Sequence, residues 1–250
     1  MPNDGGASTA RRASVLMTNI PDWNRVRAVI FDVDGTLYDG AGLRRRMLAE
    51  LIRHCLADPR RLPLLRLLQV YRRERERLAE KEASNICRQQ YERPAAQLGV
   101  SPETVEAAVD LWIHRRPLPH LSGYRIPGAA RLFDHLRASG RAVAVLSDYP
   151  AEAKLIALGL TADCVVCATD ADVDRLKPHP AGLAKLVSVL GLTPGDCLMI
   201  GDRDERDGEI ARRLRMPCLL RANRPDGDNQ FADFEWLLES IAPGRLPPEI

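Results

Sequence analysis

The length, composition and charge of the chain are those of an ordinary globular protein. Its 250 residues are 45% hydrophobic and 28% charged, values typical of a folded chain rather than a disordered one. The 36 basic and 34 acidic residues leave a net charge of +2, which argues against nucleic-acid binding driven by overall charge. We therefore expect one large folded domain, or a domain with an insert.

The first residues and the cysteines favour a cytoplasmic protein. No segment approaches the roughly 20 apolar residues that a membrane-spanning helix needs, so we expect no membrane partner. Residues 1–24 are polar, and their short apolar patch is too weak for a signal peptide. Six irregularly spaced cysteines do not indicate a disulfide framework. We expect residues 1–24 to form a flexible lead-in.

Charge is distributed unevenly along the chain. Residues 40–125 carry a net charge of +7, and the remaining residues carry −5. From Leu43 onward the same segment has apolar residues at helical spacing. We therefore predict an all-helical unit over residues 40–121, inserted into a second unit formed by residues 25–39 and 122–250.

Strands and helices alternate outside this insert. Short continuous apolar runs, typical of buried parallel strands, lie at residues 26–33, 142–146, 164–168, 197–200 and 217–220. Helices are predicted at residues 128–139, 151–158, 180–190 and 207–214. This order is typical of βαβ units, so we predict an α/β core with a parallel sheet.

Polar residues follow four of the predicted strands. Because the carboxyl ends of parallel strands meet at one edge of a sheet, where ligands bind, these residues are candidates for a single site. They are Asp32, Asp34 and Thr36 after the first strand, Ser147 after the second, Lys177 beyond the third, and Asp202 and Asp207 after the fourth. Lys177 stands out because only four of the 36 basic residues are lysines.

The two aspartates after the first strand indicate a metal site. Asp32 and Asp34 lie two residues apart, so in an extended strand both carboxylates would be on one face. They repel each other unless a cation lies between them, and with Asp202 they form an oxygen-rich site suited to Mg²⁺ rather than zinc. A metal, a lysine and hydroxyl groups suit a phosphate, which a neighbouring carboxylate can attack to give an aspartyl phosphate.

Taken together, these motifs resemble the haloacid dehalogenase-like (HAD) hydrolase superfamily. The matching motifs are DVDGT, a serine after the second strand, Lys-Pro and GDRDERD, in this order between Asp32 and Asp207. Residues 175–203 are similar to the phosphoglycolate-phosphatase-type branch. The resemblance implies a Rossmann-like three-layer core, with the insert at residues 40–121 as the helical cap of that branch.

The resemblance also implies a role for each matched residue. Asp32 is the nucleophile, and Asp34 is the acid/base that protonates the leaving oxygen and then activates water. Lys177 steadies the nucleophile and the phosphate, which Thr36 and Ser147 also bind. The implied ligands of Mg²⁺ are Asp32, the backbone carbonyl of Asp34, Asp202 and Asp207.

These assignments predict a Mg²⁺-dependent phosphatase that hydrolyses a small phosphorylated metabolite through an aspartyl phosphate. Asp34 favours phosphoryl transfer over dehalogenation, because relatives that cleave carbon–halogen bonds lack this second aspartate. Asp148 departs from the resemblance, since many relatives carry Asn there. Two alternatives stay open: a phosphomutase of the same superfamily, and a non-catalytic protein that binds an acidic partner through the basic insert.

The arginines of the insert are candidates for contacts with an anionic substrate, because a guanidinium group binds phosphate and carboxylate through two hydrogen bonds. The candidates near the insert ends are Arg44, Arg45, Arg46, Arg115, Arg116, His120 and Arg125. The charged run at residues 72–83 is expected to be a solvated helix face.

Overall fold

Six parallel strands form the central sheet of the core. In the computed structural model, which describes residues 21–241, the strands are β1 (Ala28–Phe31), β2 (Ala142–Ser147), β3 (Cys164–Cys167), β4 (Cys197–Gly201), β5 (Cys218–Arg221) and β6 (Gln230–Phe231). Their order across the sheet is β3-β2-β1-β4-β5-β6. The apolar runs correctly predict β1 to β5 and miss β6, which has only two residues. Residues 1–20 of the predicted lead-in lie outside the described part of the chain.

The segment between β1 and β2 begins with a run of helices. They are α1 (Gly40–Ala57), α2 (Pro63–Glu80), α3 (Ile86–Leu98) and α4 (Pro102–Val109), followed by a π-helical turn at Asp110–Arg115 and a 3₁₀ segment at Leu118–Tyr124. Ser101 caps α4 by accepting a hydrogen bond from the Thr104 amide at 3.3 Å. The helical character predicted for the insert is confirmed, and its division from the core as a separate domain stays a prediction.

Helices cover both faces of the sheet and give the core three layers. They are α5 (Ala129–Ala138), α6 (Glu152–Leu158), α7 (Ala181–Val189), α8 (Glu209–Leu214) and α9 (Phe234–Ile241). Helices α5, α6 and α9 pack against Val29 and Phe31, whereas α7 and α8 pack against Ala28 and Ile30 on the opposite face. All four of these strand residues are fully buried, which explains why β1 is a continuous apolar run. The predicted Rossmann-like α/β fold is therefore confirmed.

The order of the strands reverses at β1, and this reversal places three strand ends side by side. Phe31 pairs in register with Val145 of β2 on one side and with Ile200 of β4 on the other. Open α/β sheets bind ligands in the crevice at such a point, and residues of the insert line the same crevice. Among residues 21–241, no helix is both long enough and apolar enough to cross a membrane.

Candidate active site

Asp32 follows β1 directly and lies at the base of the crevice. Its amide donates to the carbonyl of Ile200 at 2.8 Å, which extends the pairing of β1 with β4 by one residue. Thr36 Oγ1 donates to Asp32 Oδ2 at 3.0 Å, and Lys177 Nζ donates to Asp32 Oδ1 at 2.6 Å. Each carboxylate oxygen therefore has its own donor, so the orientation of this side chain is fixed.

Lys177 lies between two buried carboxylates. Its Nζ also donates to Oδ1 of Asp207 at 2.6 Å, and all three side chains are at most 7% exposed. Burial raises the pKa of Asp32 well above its usual value, although Lys177 opposes this effect. Burial lowers the pKa of Lys177, but Asp207 and Asp32 outweigh burial and raise it. The lysine is therefore a permanent cation beside Asp32.

Asp202 and Asp207 complete a cluster of carboxylates with Asp32. One oxygen of each lies within 4.8 Å of the others, and Asp207 Oδ2 accepts from the amides of Asp202 and Arg203, each at 3.2 Å. Burial and the charge of Asp207 raise the pKa of Asp202 to about 6. Because three carboxylates here share one lysine, the residues fit a divalent cation, and their all-oxygen donor set suits Mg²⁺.

Two glycines allow these carboxylates to approach the backbone. Gly35 has a φ of +105°, and a Cβ at this position would lie 2.0 Å from Asp202 Oδ2. A Cβ at Gly201 would lie 2.2 Å from the Cβ of Asp207. The acidic cluster therefore leaves no room for a side chain at the glycine of the DVDGT motif or at the glycine of the GDRDERD motif.

Asp34 is directed away from the acidic cluster, toward Lys154 and Tyr38. Lys154 Nζ donates to both carboxylate oxygens, at 2.6 and 2.7 Å, and the Tyr38 hydroxyl donates to Oδ1. Burial would raise the pKa of Asp34, but the charge and hydrogen bonds of Lys154 outweigh burial and hold this pKa below its usual value. Lys154 is not among the site residues predicted from the sequence, although the scarcity of lysines in the chain is a signal that points to it.

The two predicted phosphate-binding hydroxyls lie beside the crevice, and neither residue lines its cavity. Ser147 Oγ accepts from the amide of Tyr149 at 3.2 Å, while the Thr36 hydroxyl is bonded to Asp32. Asp148 accepts from the amide of Lys177 at 3.0 Å through Oδ1, so its carboxylate supports the loop that carries the lysine. The roles predicted for Thr36 and Ser147 in binding phosphate stay predictions.

A cavity of about 530 Å³ opens over the carboxylates and is roofed by the insert. Arg44, Arg72 and Trp112 line it and also line an adjoining cavity of about 350 Å³, whose other walls are mostly leucine side chains. Within residues 21–241, the side chains of Arg44 and Arg72 have no hydrogen-bond or ion-pair partner. Two uncompensated cations therefore lie where the cavities join.

The other arginines that the sequence suggests as substrate contacts do not line the cavity. The Arg116 guanidinium lies 4.2 Å from the centre of the Trp112 ring, and Arg125 donates to the carbonyl of Leu158 at 2.7 Å. The expectation of a solvated face at residues 72–83 is wrong in part. Arg75 is only 5% exposed there, because α2 packs against the core on this side.

Charged contacts join α2 to the loops of the active site. Glu76 accepts from Arg203 at 3.0 Å and from Arg206 at 2.7 Å. Arg206 also donates to the carbonyl of Lys177 at 2.7 Å, and Arg75 donates to the carbonyl of Asp148 at 2.6 Å. The insert is thus held closed over the carboxylates by bonds to the loops that carry them.

The fold and the site together define a Rossmann-like hydrolase whose helical insert covers a buried aspartate. The model of the haloacid dehalogenase-like hydrolase family matches residues 26–214, so the chain belongs to this family and is an enzyme of the hydrolase class. This match confirms the family resemblance seen in the motifs.

Several relatives that match by sequence carry phosphatase names. The chain is 30% identical over 199 residues to the phosphoglycolate phosphatase of Xylella fastidiosa (strain Temecula1), covering 78% of this chain and 79% of that protein. It is 28% identical over 204 residues to the human (Homo sapiens) N-acylneuraminate-9-phosphatase, covering 74% and 77%. A shorter match to Bacillus subtilis YhcW is 34% identical over 90 residues and covers 36% of this chain and 40% of that protein.

Solved structures share the fold at low sequence identity. The magnesium-bound HAD-hydrolase YfnB of Bacillus subtilis has a TM-score of 0.63 at 16% identity, covering 87% of this chain and 99% of YfnB. The 2-haloacid dehalogenase of Pseudomonas syringae pv. Tomato DC3000 has a TM-score of 0.60 at 19% identity, covering 86% and 98%. At these identities the likeness concerns the fold alone.

Proposed function

We propose that the protein is a Mg²⁺-dependent phosphatase that hydrolyses a small phosphorylated metabolite through an aspartyl phosphate on Asp32. The observation that carries the proposal is the fixed, buried Asp32 carboxylate, held at 2.6 Å by Lys177 beside the acidic cluster. The phosphatase names of the relatives support the same reaction class. Asp34 supports phosphoryl transfer over dehalogenation, because a departing halide needs no proton.

The first step transfers the phosphoryl group to the enzyme. Asp34 takes up a proton when the phosphate binds, because the added negative charge raises its pKa above the value that Lys154 sets in the free enzyme. An oxygen of Asp32 then attacks phosphorus, the ester P–O bond breaks, and the departing oxygen takes this proton from Asp34. Lys177 and Thr36 hold Asp32 in place for this attack. When bound, Mg²⁺ supplies positive charge that offsets the charge of the phosphoryl oxygens, and Asp32, Asp202 and the Asp34 carbonyl are the groups that would hold it.

The second step returns the enzyme to its starting state. Asp34 takes a proton from a water molecule, which attacks phosphorus and releases inorganic phosphate from Asp32. The bonds from Glu76 to Arg203 and Arg206 keep α2 over the site, so the insert excludes bulk water during both steps. Opening of these bonds would admit the substrate and release the products.

The cavity supports a substrate with a second anionic group. Its volume of about 530 Å³ suits a small metabolite, and the side chains of Arg44 and Arg72 have no hydrogen-bond or ion-pair partner among the described residues. Phosphoglycolate and N-acylneuraminate 9-phosphate, which the names of the relatives denote, are both phosphate esters of hydroxy acids and carry a free carboxylate. A carboxylate bound by these arginines would place the phosphate over Asp32.

The test is phosphate release from a panel of phosphoesters, with Mg²⁺ and with EDTA. We expect Mg²⁺-dependent release for the wild type, suppression by EDTA, and no turnover in the Asp32→Asn variant. Sugar phosphates in the panel are also analysed for isomers, which a phosphomutase would form. No release from any ester with Mg²⁺, or an Asp32→Asn variant as active as the wild type, would refute the proposal.

A further inference from the structure

Lys154 is a second buried lysine in the site. Its side chain is 7% exposed, its Nζ donates to both oxygens of Asp34, and its Nζ lies 5.1 Å from the centre of the Tyr149 ring. A lysine is rarely buried without a charged partner, and the loss of one member of such a pair leaves an uncompensated charge. Lys154 and Asp34 therefore form a structural unit.

The position of Lys154 in the chain explains how it reaches Asp34. It is the third residue of α6, and only four residues separate α6 from the end of β2. This short connection places the first turn of the helix beside the end of β1. Leu155 and Leu158 anchor α6 in the core, at 4% and 0% exposure, so the lysine extends from a rigid element.

The lysine fixes the orientation of the Asp34 carboxylate. Because Nζ binds both oxygens and the Tyr38 hydroxyl binds one of them, rotation of the carboxylate would break at least one bond to a charged group. Asp32 is fixed separately by Thr36 and Lys177. Two lysines thus hold the two aspartates apart, which keeps the side chain of Asp34 out of the acidic cluster.

We propose that Lys154 is a positioning residue that holds Asp34 in place for both of its proton transfers, an inference that rests on the function proposed above. Lys154 itself only donates hydrogen bonds, to both oxygens of Asp34. In the first step the proton that Asp34 takes up when the phosphate binds passes to the ester oxygen as the bond of that oxygen to phosphorus breaks. In the second step Asp34 accepts a proton from water as the new P–O bond forms and the bond to Asp32 breaks.

The test compares p-nitrophenyl phosphate with an alkyl phosphate in the Lys154→Met variant. The p-nitrophenolate ion leaves without a proton, so its first step does not require Asp34, whereas the second step requires Asp34 for every substrate. We expect a burst of p-nitrophenol equal to the enzyme concentration, followed by turnover at least about tenfold slower than in the wild type. With the alkyl phosphate we expect slow turnover and no burst.

Further variants separate positioning from a general loss of structure. Lys154→Arg keeps the cation and should recover part of the turnover. In the Asp34→Asn background, Lys154→Met should lower turnover by less than about twofold, because the lysine acts through the missing carboxylate. Lys185→Met removes a lysine bonded to Asp170 and Asp172 away from the cavity and should match the wild type.

Several results would overturn the proposal. These are wild-type turnover in Lys154→Met, an equal loss for both substrates without a burst, and an undiminished effect in the Asp34→Asn background. If Lys154→Met does not fold, the same comparisons are made with Lys154→Gln, which keeps a hydrogen-bond donor. Failure of the phosphatase proposal itself looks different, because the wild type would then release no phosphate from either substrate.

Discussion

Replacement of Lys177 by methionine tests the electrostatics of the site without any substrate. The variant leaves Asp32 and Asp207 buried without the cation that lies 2.6 Å from each. Removal of one partner from a buried ion pair costs about 3–5 kcal/mol. We therefore expect the free energy of unfolding in EDTA to fall by about this amount at pH 8, measured by urea unfolding with circular dichroism.

The size of this loss should depend on pH. Burial already raises the pKa of Asp32, and it raises the pKa of Asp202 to about 6. Because the charge of Lys177 opposes this effect at both groups, both pKa values should rise further when the lysine is removed. Carboxyl groups with a raised pKa bind protons more readily in the folded than in the unfolded chain, so stability falls as pH rises. The deficit of Lys177→Met should therefore be larger at pH 8 than at pH 5.5.

Lys185→Met is the matched control for this prediction. Lys185 is bonded to two carboxylates as well, but its side chain is 27% exposed and that of Asp172 is 67% exposed. Exposed pairs contribute about 0–1 kcal/mol. A Lys177→Met deficit as small as that of Lys185→Met, or one that shrinks as the pH rises, would refute the reasoning.

Three further predictions concern the closure of the insert, the cavity and pH. Glu76→Gln removes the negative charge that binds Arg203 and Arg206, and this half-exposed network contributes about 1 kcal/mol to closure of the insert. Because closure over the bound substrate is then weaker, the KM should rise about fivefold in steady-state kinetics. Arg72→Leu should raise the KM about tenfold or more for a phosphate ester whose leaving group carries a second anionic group. The KM for a phosphate ester with an uncharged leaving group should stay unchanged. Burial and neighbouring cations lower the pKa of His114 from 6.5 to about 4, so the unfolded chain binds the proton more readily. As the pH falls from 7 to 5, this difference should lower the free energy of unfolding by about 2 kcal/mol, and His114→Phe should not show this loss.

Controls for the kinetic variants lie on the same helix. Arg73→Leu and Glu80→Gln change exposed residues of α2 that do not line the cavity, so both should keep the wild-type KM. If Arg72→Leu raises the KM equally for phosphate esters with uncharged and with anionic leaving groups, the proposed carboxylate contact is contradicted. Equal slopes of stability against pH for the wild type and His114→Phe would contradict the account of the buried histidine.

The sequence predicts most of the sheet and the convergence of the site, because both follow from short-range patterns. Continuous apolar runs predict β1 to β5, and a parallel sheet brings their polar carboxyl ends to one edge. Asp32, Lys177, Asp202 and Asp207 therefore meet as expected. The strand β6 and the helix α9 are missing from the prediction, since β6 has no apolar run and its pairing with β5 is long-range.

The contacts between the insert and the core could not be read from the sequence. Arg75 and Glu76 lie in a charged run that looks solvated, and only the packing of α2 brings them to the core loops. Lys154 reaches Asp34 because of the length of the connection between β2 and α6, which sequence spacing alone does not convert into a contact. The rarity of lysine was a usable signal, since both Lys154 and Lys177 lie in the site.

The most direct test of the central claim is the detection of the phosphoenzyme. The wild-type protein with Mg²⁺ and a substrate from the panel is quenched in acid during a single turnover, digested and analysed by mass spectrometry. We predict one added phosphoryl group on the peptide that contains Asp32, located at Asp32, and none in the Asp32→Asn variant. Release of phosphate without any phosphoenzyme, or a phosphoryl group on another residue, would contradict the claim that Asp32 is the nucleophile.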